Sequence, residues 1–155
     1  MDYFTKIRQK MGRETVILPG AAGAVVKDGK ILLVRRNNLS RTWGIPGGVQ
    51  EPGETILETA HREVLEEVGL DLQVGELIGV YSSPDWNIHL PDGGCIQQLT
   101  FFFQMVGEVG EITPQVSEVA EWGFFAPDAL PEPMMPCCRQ KALDWASGQR
   151  RPVFR

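Results

Sequence analysis

The sequence predicts a domain of mixed α and β structure, with several β-strands and a few helices. The chain has 155 residues, of which 43% are hydrophobic, so one core can form without disulfides or a structural metal. Several segments rich in β-branched and aromatic residues indicate strands. One central segment instead has hydrophobic residues at helical spacing. These features together predict a single α+β domain over residues 1–155.

The first strands form a predicted β-hairpin between Ala24 and Arg36. Asp28-Gly29 separates two apolar runs there, and this dipeptide suits the tight turn of a two-residue hairpin. The next segment, Asn37–Gly53, is rich in Asn, Gly and Pro. This composition predicts one long loop, and loops of such length are often functional.

The central helix is predicted to run from Thr55 to Val68. Thr55 and Glu58 have the spacing of a capping box at its start, and Gly69 suits its C-terminal end. Apolar residues follow at helical spacing, namely Leu57, Ala60, Val64 and Val68. Both ends of this helix are therefore defined by the sequence.

Further strands are predicted downstream of this helix, at residues 77–81, 97–106 and 121–125. Four prolines in Ala126–Pro136 exclude regular structure from that segment. The segment Cys137–Ser147 has helical composition. We expect this last helix to close the domain against the sheet.

Composition argues against several classes of protein. The formal net charge of −5 provides no basic surface for long nucleic acid. The three cysteines, Cys95, Cys137 and Cys138, fit neither a disulfide framework nor a paired zinc-ligand pattern. No apolar run reaches the roughly 20 residues of a bilayer span, and the first residues lack the plan of a signal peptide. We therefore expect a cytoplasmic protein without nucleic-acid or membrane partners.

Three glutamates of the central helix suggest a metal site. At 100° per residue, Glu63, Glu66 and Glu67 project onto one face, beside the buried stripe. Like charges three and four residues apart repel one another, so a cation would stabilise the group. Carboxylate oxygens suit Mg²⁺ or Mn²⁺, and Mg²⁺ often shares its ligand shell with substrate phosphates. Glutamates on a helix most often form a solvated face, so the wider pattern around these three decides between the two interpretations.

The stretch from Gly48 to Leu70 follows the pattern Gly-x5-Glu-x7-Arg-Glu-apolar-x-Glu-Glu-x-Gly-apolar throughout. The defining positions hold Gly48, Glu54, Arg62, Glu63, Val64, Glu66, Glu67, Gly69 and Leu70. In this pattern the chain resembles the Nudix (MutT-like) hydrolase family, and the resemblance extends over about residues 19–131. It implies an α/β/α sandwich around a mixed β-sheet. It also implies metal-dependent hydrolysis, by water attacking phosphorus, of a nucleoside diphosphate linked to a group X.

The resemblance carries the metal ligands over to individual residues. Glu63, Glu66 and Glu67 match the ligands for Mg²⁺ or Mn²⁺, and the Gly48 carbonyl is a further candidate. The sequence leaves the number of metal ions open.

Other roles follow from the same resemblance. Arg62 and Glu54 match a pair that orients the site, because an arginine fork can hold a carboxylate in one rotamer. The general base is either Glu66 or Glu118, which occupies a position used by some family members. Sequence alone does not rank these two.

Three residues outside the pattern are candidates for substrate binding. Arg35 and Arg36 lie next to the glycine-containing loop, and guanidinium groups suit phosphate oxygens. Trp86 is a candidate for stacking on a base or ribose. The alternatives are a solvated surface role for the arginines and core packing for the tryptophan.

The expected partner is a small nucleotide. ADP-ribose or a related nucleotide sugar is one class, and nucleoside triphosphates, including damaged ones, are the other. Pro84 lies fourteen residues past Leu70, one short of the position common in ADP-ribose enzymes. A nucleotide-binding module without turnover is the alternative of a different class. The terminal segments Asp2–Arg13 and Arg150–Arg155 are candidates for a homodimer contact.

Overall fold

Two β-sheets and three α-helices make up the computed structural model, which describes all residues from Met1 to Arg155. The helices are α1 Tyr3–Met11, α2 Ile56–Val68 and α3 Pro136–Ala146. The strands are β1 Thr15–Ala24, β2 Val26–Lys27, β3 Lys30–Arg36, β4 Trp43–Gly44, β5 Gly47–Val49, β6 Gln73–Tyr81, β7 Ile88–His89, β8 Cys95–Val106, β9 Val119–Phe125 and β10 Val153–Phe154. A single 3₁₀ turn covers Pro84–Trp86. None of the helices is long and apolar enough to span a membrane.

The larger sheet has six strands and the smaller has four. In the larger sheet the order is β10-β6-β8-β1-β5, with β7 paired to β8, and β1 runs parallel to β8. In the smaller sheet β3 pairs with β2, β4 and β9. This mixture of parallel and antiparallel pairs confirms the predicted mixed-sheet α+β class.

The core has two sides, and alternate residues of β3 face each of them. On the side of α3 it includes Ile31, Leu33, Phe102, Cys138 and Ala142. On the side of α2 it includes Leu32, Val34, Val64, Val68 and Met105. Because successive side chains of a strand point to opposite faces, the sheets are covered on both sides. This is the expected α/β/α arrangement.

The predicted hairpin is present between β2 and β3. Asp28 and Gly29 both have positive φ, at 51° and 73°, as the two-residue turn requires. The central helix is also as predicted, with Thr55 as its N-cap. Thr55 and Glu58 exchange side-chain and backbone hydrogen bonds in a capping box, and Gly69 ends the helix in a left-handed conformation.

The predicted loop at Asn37–Gly53 is wrong in its middle part, because β4 and β5 lie there. β5 pairs antiparallel with β1, with Gly48 opposite Ala21. The approach is so close that a Cβ on Gly20 would lie 2.4 Å from the Gly48 carbonyl oxygen. Glycines that look like loop residues therefore permit a strand pairing, which positions Gly48 at the edge of the sheet.

Several strands begin earlier than predicted, and β1 was not predicted at all. β6, β8 and β9 start at Gln73, Cys95 and Val119. Pro19 and several glycines interrupt the hydrophobic pattern of β1, although pairing on both sides makes it a central strand. The terminal segments pack on their own chain, since α1 contacts β1 and β10 pairs with β6. Their role in a homodimer stays a prediction.

Candidate metal and nucleotide site

The carboxylate face of α2 lies against β5. Glu63 is 9% exposed, and its carboxylate lies directly beside the backbone of Gly48. A Cβ built on Gly48 would lie 2.5 Å from Glu63 Oε1. Only glycine at this position leaves room for the carboxylate, which explains its place in the sequence pattern. Glu63 and the Gly48 backbone therefore form one side of a shared site.

Arg62 connects this region by using all five of its N–H donors. Nε donates to Glu54 Oε1, and Nη2 donates to Glu54 Oε2 over 3.0 Å. Nη2 also donates to the Val49 carbonyl over 3.1 Å. Nη1 donates to Glu63 Oε1 over 2.7 Å and to Glu66 Oε2 over 3.2 Å. The planar guanidinium thus fixes two carboxylates of α2 relative to β5.

Glu54 completes this contact from the loop that precedes α2. Besides Arg62, it accepts hydrogen bonds from the Glu51 backbone and from the Thr59 hydroxyl. The Arg62 guanidinium, with these further donors, lowers the pKa of Glu54 to about 2. Glu54 is therefore ionised at any physiological pH and remains an acceptor for Arg62.

Glu67 is the most deeply buried of the three helix glutamates, at 1% exposure. Its Oε1 accepts a hydrogen bond of 2.6 Å from Arg36 Nη1, whereas its Oε2 is buried without any partner. Burial raises the pKa of Glu67 to about 7, and the Arg36 guanidinium offsets this only in part. A buried oxygen without a donor is costly, so the site favours a ligand at Oε2.

The two candidate bases are placed differently around this pair. Glu66 is half exposed, with 52% of its side chain accessible, and its only partner is Arg62. Glu118 is exposed in the turn before β9. The negative charge of Glu118 contributes to the raised pKa of both Glu63 and Glu67, after the larger effect of burial. Glu118 is therefore brought to the same site from a distant part of the chain.

A cavity of about 220 Å³ opens beside Arg36 and Gly48. Its walls are mostly apolar and come from β1, β5, β7, β8, α1 and α3. Its polar lining residues are Arg36, Gln98, Thr100 and Lys141. A concave, mainly apolar space with a few polar groups is the usual form of a small-molecule site. The acidic face of α2 therefore adjoins a space suited to an organic ligand.

The comparisons with known proteins agree with this geometry. The sequence profile of the NUDIX domain matches residues 18–146. The chain belongs to the Nudix hydrolase family. Members of this family generally use divalent metal cations and act on small nucleotides.

Three relatives illustrate the breadth of the Nudix family around this chain. It is 39% identical to an ADP-ribose pyrophosphatase of Methanocaldococcus jannaschii over 112 residues, which are 71% of this chain and 62% of that protein. It is 33% identical to a putative 8-oxo-dGTP diphosphatase of Bacillus subtilis over 119 residues, which are 77% and 72% of the two chains. A crystal structure of a MutT NUDIX hydrolase from Burkholderia pseudomallei superimposes with a TM-score of 0.71 at 26% identity, covering 83% of this chain and 98% of that one.

The residues of the Nudix pattern fit a divalent cation. The unpartnered Oε2 of Glu67, the carboxylate of Glu63 and the Gly48 backbone beside Glu63 are hard oxygen donors. No three acidic side chains converge on one point, and Arg62 and Arg36 occupy oxygens of Glu63 and Glu67. A cation would therefore compete with these ion pairs, and Mg²⁺ suits such a site because it retains several waters.

Not all of the predicted substrate residues reach the cavity. Arg36 lines it, between Glu67 and the glycines of β5. Arg35 instead pairs with Glu121 over 2.7 Å and lies over the Trp43 ring, 6.0 Å from its centroid. Trp86 packs on Tyr81 with 6.1 Å between ring centroids, and it lines a smaller adjoining cavity.

Sequence reasoning missed the polar residues at the other end of the cavity. Gln98 and Thr100 come from β8, and Lys141 comes from α3. The only signal was Lys141 itself, because it lies on the buried side of α3 together with the apolar residues Cys137, Cys138 and Ala142. A lysine on the buried side of a helix is unusual and could have been singled out.

Proposed function

We propose that this protein hydrolyses the phosphoanhydride bond of a nucleoside diphosphate linked to a group X, with water attacking phosphorus. The observation that carries the proposal is the buried Glu67 carboxylate, whose Oε2 has no partner, beside the cavity lined by Arg36 and Gly48. A metal at Oε2 would compensate the buried charge and face a ligand in the cavity. The whole chain would serve as one catalytic domain.

Glu63, Glu66, Glu67 and the Gly48 carbonyl would hold Mg²⁺ or Mn²⁺. When bound, the cation supplies charge neutralisation for the bridging phosphates and a lowered pKa for a bound water. Arg62, itself held by Glu54, would keep the carboxylates in place as the substrate binds.

Either Glu66 or Glu118 would accept the proton of the attacking water. Glu66 is half exposed next to Glu63 and Glu67 on the same helix face, and it has an oxygen free of Arg62. Glu118 is exposed and close enough for its charge to affect both of those carboxylates. Single-turnover rates of Glu66→Gln and Glu118→Gln at saturating metal, measured beside the Mg²⁺ affinity of each variant, distinguish them, because loss of a base alone lowers the chemical step whereas loss of a metal ligand also lowers the affinity.

The first substrate class to consider is ADP-ribose and related nucleotide sugars. The 39% identity to an ADP-ribose pyrophosphatase supports it. Nucleoside triphosphates are the second class, supported by the 33% identity to a putative 8-oxo-dGTP diphosphatase. In both classes Arg36, which lines the cavity, would meet a phosphate. Arg35 and Trp86 remain candidate substrate contacts that would require a rearrangement of their present packing.

The test is a hydrolysis panel with Mg²⁺ or Mn²⁺, containing nucleotide sugars, dinucleoside polyphosphates, and canonical and oxidised nucleoside triphosphates. We expect metal-dependent release of a nucleoside monophosphate, abolished in Glu67→Gln. Glu76→Gln is the matched control, because Glu76 is an exposed carboxylate on β6 away from the site. Retained metal binding and folding with no turnover of any compound would overturn the proposal in favour of a nucleotide-binding module.

The remaining expectations about partners are also proposals. A small nucleotide would be the only substrate, with no nucleic-acid or membrane partner. A cytoplasmic location and a homodimer stay predictions, and sedimentation of the purified protein at two concentrations tests the latter.

A further inference from the structure

Lys141 is a buried residue whose ammonium group has no hydrogen-bond or ion-pair partner. The residue is 3% exposed, and its Nζ has neither a hydrogen bond nor an ion pair with any protein group. Its Nζ atom is not fully buried and reaches accessible space. Lys141 lines both the main cavity and the smaller adjoining one. A buried ammonium group is costly unless it is paired. Nζ therefore favours a ligand that brings a hydrogen-bond acceptor into this space.

The groups next to Lys141 do not supply a hydrogen-bond acceptor to its Nζ. Asp144 lies one helical turn further on, but its oxygens already accept hydrogen bonds from Tyr81, Gln140 and Arg155. The Tyr81 ring lies 5.3 Å from Nζ, which provides a cation–π contact on one side only. The Cys138 thiol lies on the same face of α3, and its pKa is lowered by the neighbouring Cys137 thiol and, to a smaller extent, by the Lys141 ammonium, yet no sulfur hydrogen bond joins it to Lys141. The three N–H donors therefore remain available to a ligand.

The strand register separates the end of the cavity lined by Thr100 and Lys141 from the end beside Gly48. Thr100 on β8 pairs with Gly20 on β1, and Gly20 pairs with Val49 on β5, next to Gly48. Two strand spacings separate Thr100 from β5, which is about 10 Å. A substrate whose phosphates lie at Gly48 would therefore extend its nucleoside across β1 towards Thr100 and Lys141.

An ammonium group offers donors only, so it selects a base that presents acceptors at its edge. Guanine presents O6 and N7, and uracil and thymine present O4, whereas adenine and cytosine present an amino donor at the corresponding position. We propose that Lys141 recognises the ring carbonyl of a 6-oxopurine or 4-oxopyrimidine base and so makes this site selective for oxo bases. This inference rests on the proposed function, and it ranks guanosine and uridine nucleotides above ADP-ribose.

The test compares substrates that differ only in the base, namely GDP-glucose, UDP-glucose, ADP-glucose and CDP-glucose. It pairs kcat/KM with metal-free binding of GMP, UMP, AMP and CMP by calorimetry, so selectivity is measurable even if nothing is hydrolysed. We expect wild type to favour the oxo bases by about 10- to 100-fold in both assays. Lys141→Met should remove this preference by weakening only the oxo bases. Lys30→Met, on the exposed hairpin, should leave it unchanged.

A second variant keeps the test informative if Lys141→Met does not fold. Lys141→Gln carries both a donor and an acceptor, a combination that suits adenine, so its preference should move towards AMP. Equal weakening of all four monophosphates by either variant would show that Lys141 binds phosphate and would overturn the proposal. Unchanged binding of all four would show that the lysine is structural and would overturn it as well. Base-selective binding without hydrolysis would refute the proposed function alone.

Discussion

Replacing Glu67 with glutamine should change how the stability of the metal-free protein depends on pH. Glu67 is 1% exposed, and burial raises its pKa from the ordinary 4.5 to about 7. Between these two values the unfolded chain loses the proton, while the folded protein keeps it. The folded state binds more protons in this window, so the free energy of unfolding falls as pH rises.

The size of the effect follows from the pKa. A change of one in pKa corresponds to about 1.4 kcal/mol, so the fall from pH 4.5 to 7 amounts to at most about 3 kcal/mol. Glu67→Gln does not ionise, and its amide oxygen can still accept the hydrogen bond from Arg36. Relative to wild type, the variant should therefore gain up to about 3 kcal/mol between pH 4.5 and pH 8.

Urea unfolding in EDTA at several pH values measures this difference directly. Mg²⁺ at pH 8 should then stabilise the wild type, since binding to the native state alone raises stability, and should stabilise Glu67→Gln much less. Parallel pH profiles for the two proteins would refute the argument that Glu67 carries a buried charge that Arg36 compensates only in part.

Three further substitutions test the surrounding structure. Gly48→Ala should displace the Glu63 carboxylate, because the new Cβ would lie 2.5 Å from Glu63 Oε1. Mg²⁺ binding measured by calorimetry should weaken at least about tenfold. An unchanged affinity would contradict this contact. Arg62→Lys keeps the charge but loses the fork of five donors, so kcat should fall about 10- to 100-fold, and the unfolding temperature should also fall because hydrogen bonds to Glu54 and Val49 are lost. Gly29→Ala, at φ 73°, should cost about 1 kcal/mol in urea unfolding. Gly110→Ala, in open space at ordinary φ, is its control.

Local signals in the sequence predicted the elements that depend on local physics. The capping box and Gly69 defined α2, and Asp28-Gly29 defined the hairpin, because both depend on contacts within a few residues. The spacing of the glutamates also predicted which side chains share a face of α2. The structure adds that Arg62 connects that face to β5.

Contacts between distant segments were harder to predict. β1 was missed because Pro19 and the glycines of this strand disrupt the hydrophobic alternation that marks a strand. The position of β1 in the sheet is set by its pairing with β8, some eighty residues later in the chain. The end of the cavity lined by Thr100 and Lys141 depends on this pairing and on the packing of α3. Lys141 and Thr100 approach each other only in the folded protein.

The central claim is that water attacks phosphorus in a reaction that depends on the glutamates of α2. The most direct measurement is hydrolysis of the best substrate in H₂¹⁸O with Mg²⁺, followed by mass spectrometry of both products. One ¹⁸O atom per turnover is expected in a phosphate-bearing product, with no turnover in Glu67→Gln. Label in the hydroxyl group of X instead of in phosphate, or full activity in Glu67→Gln, would contradict it.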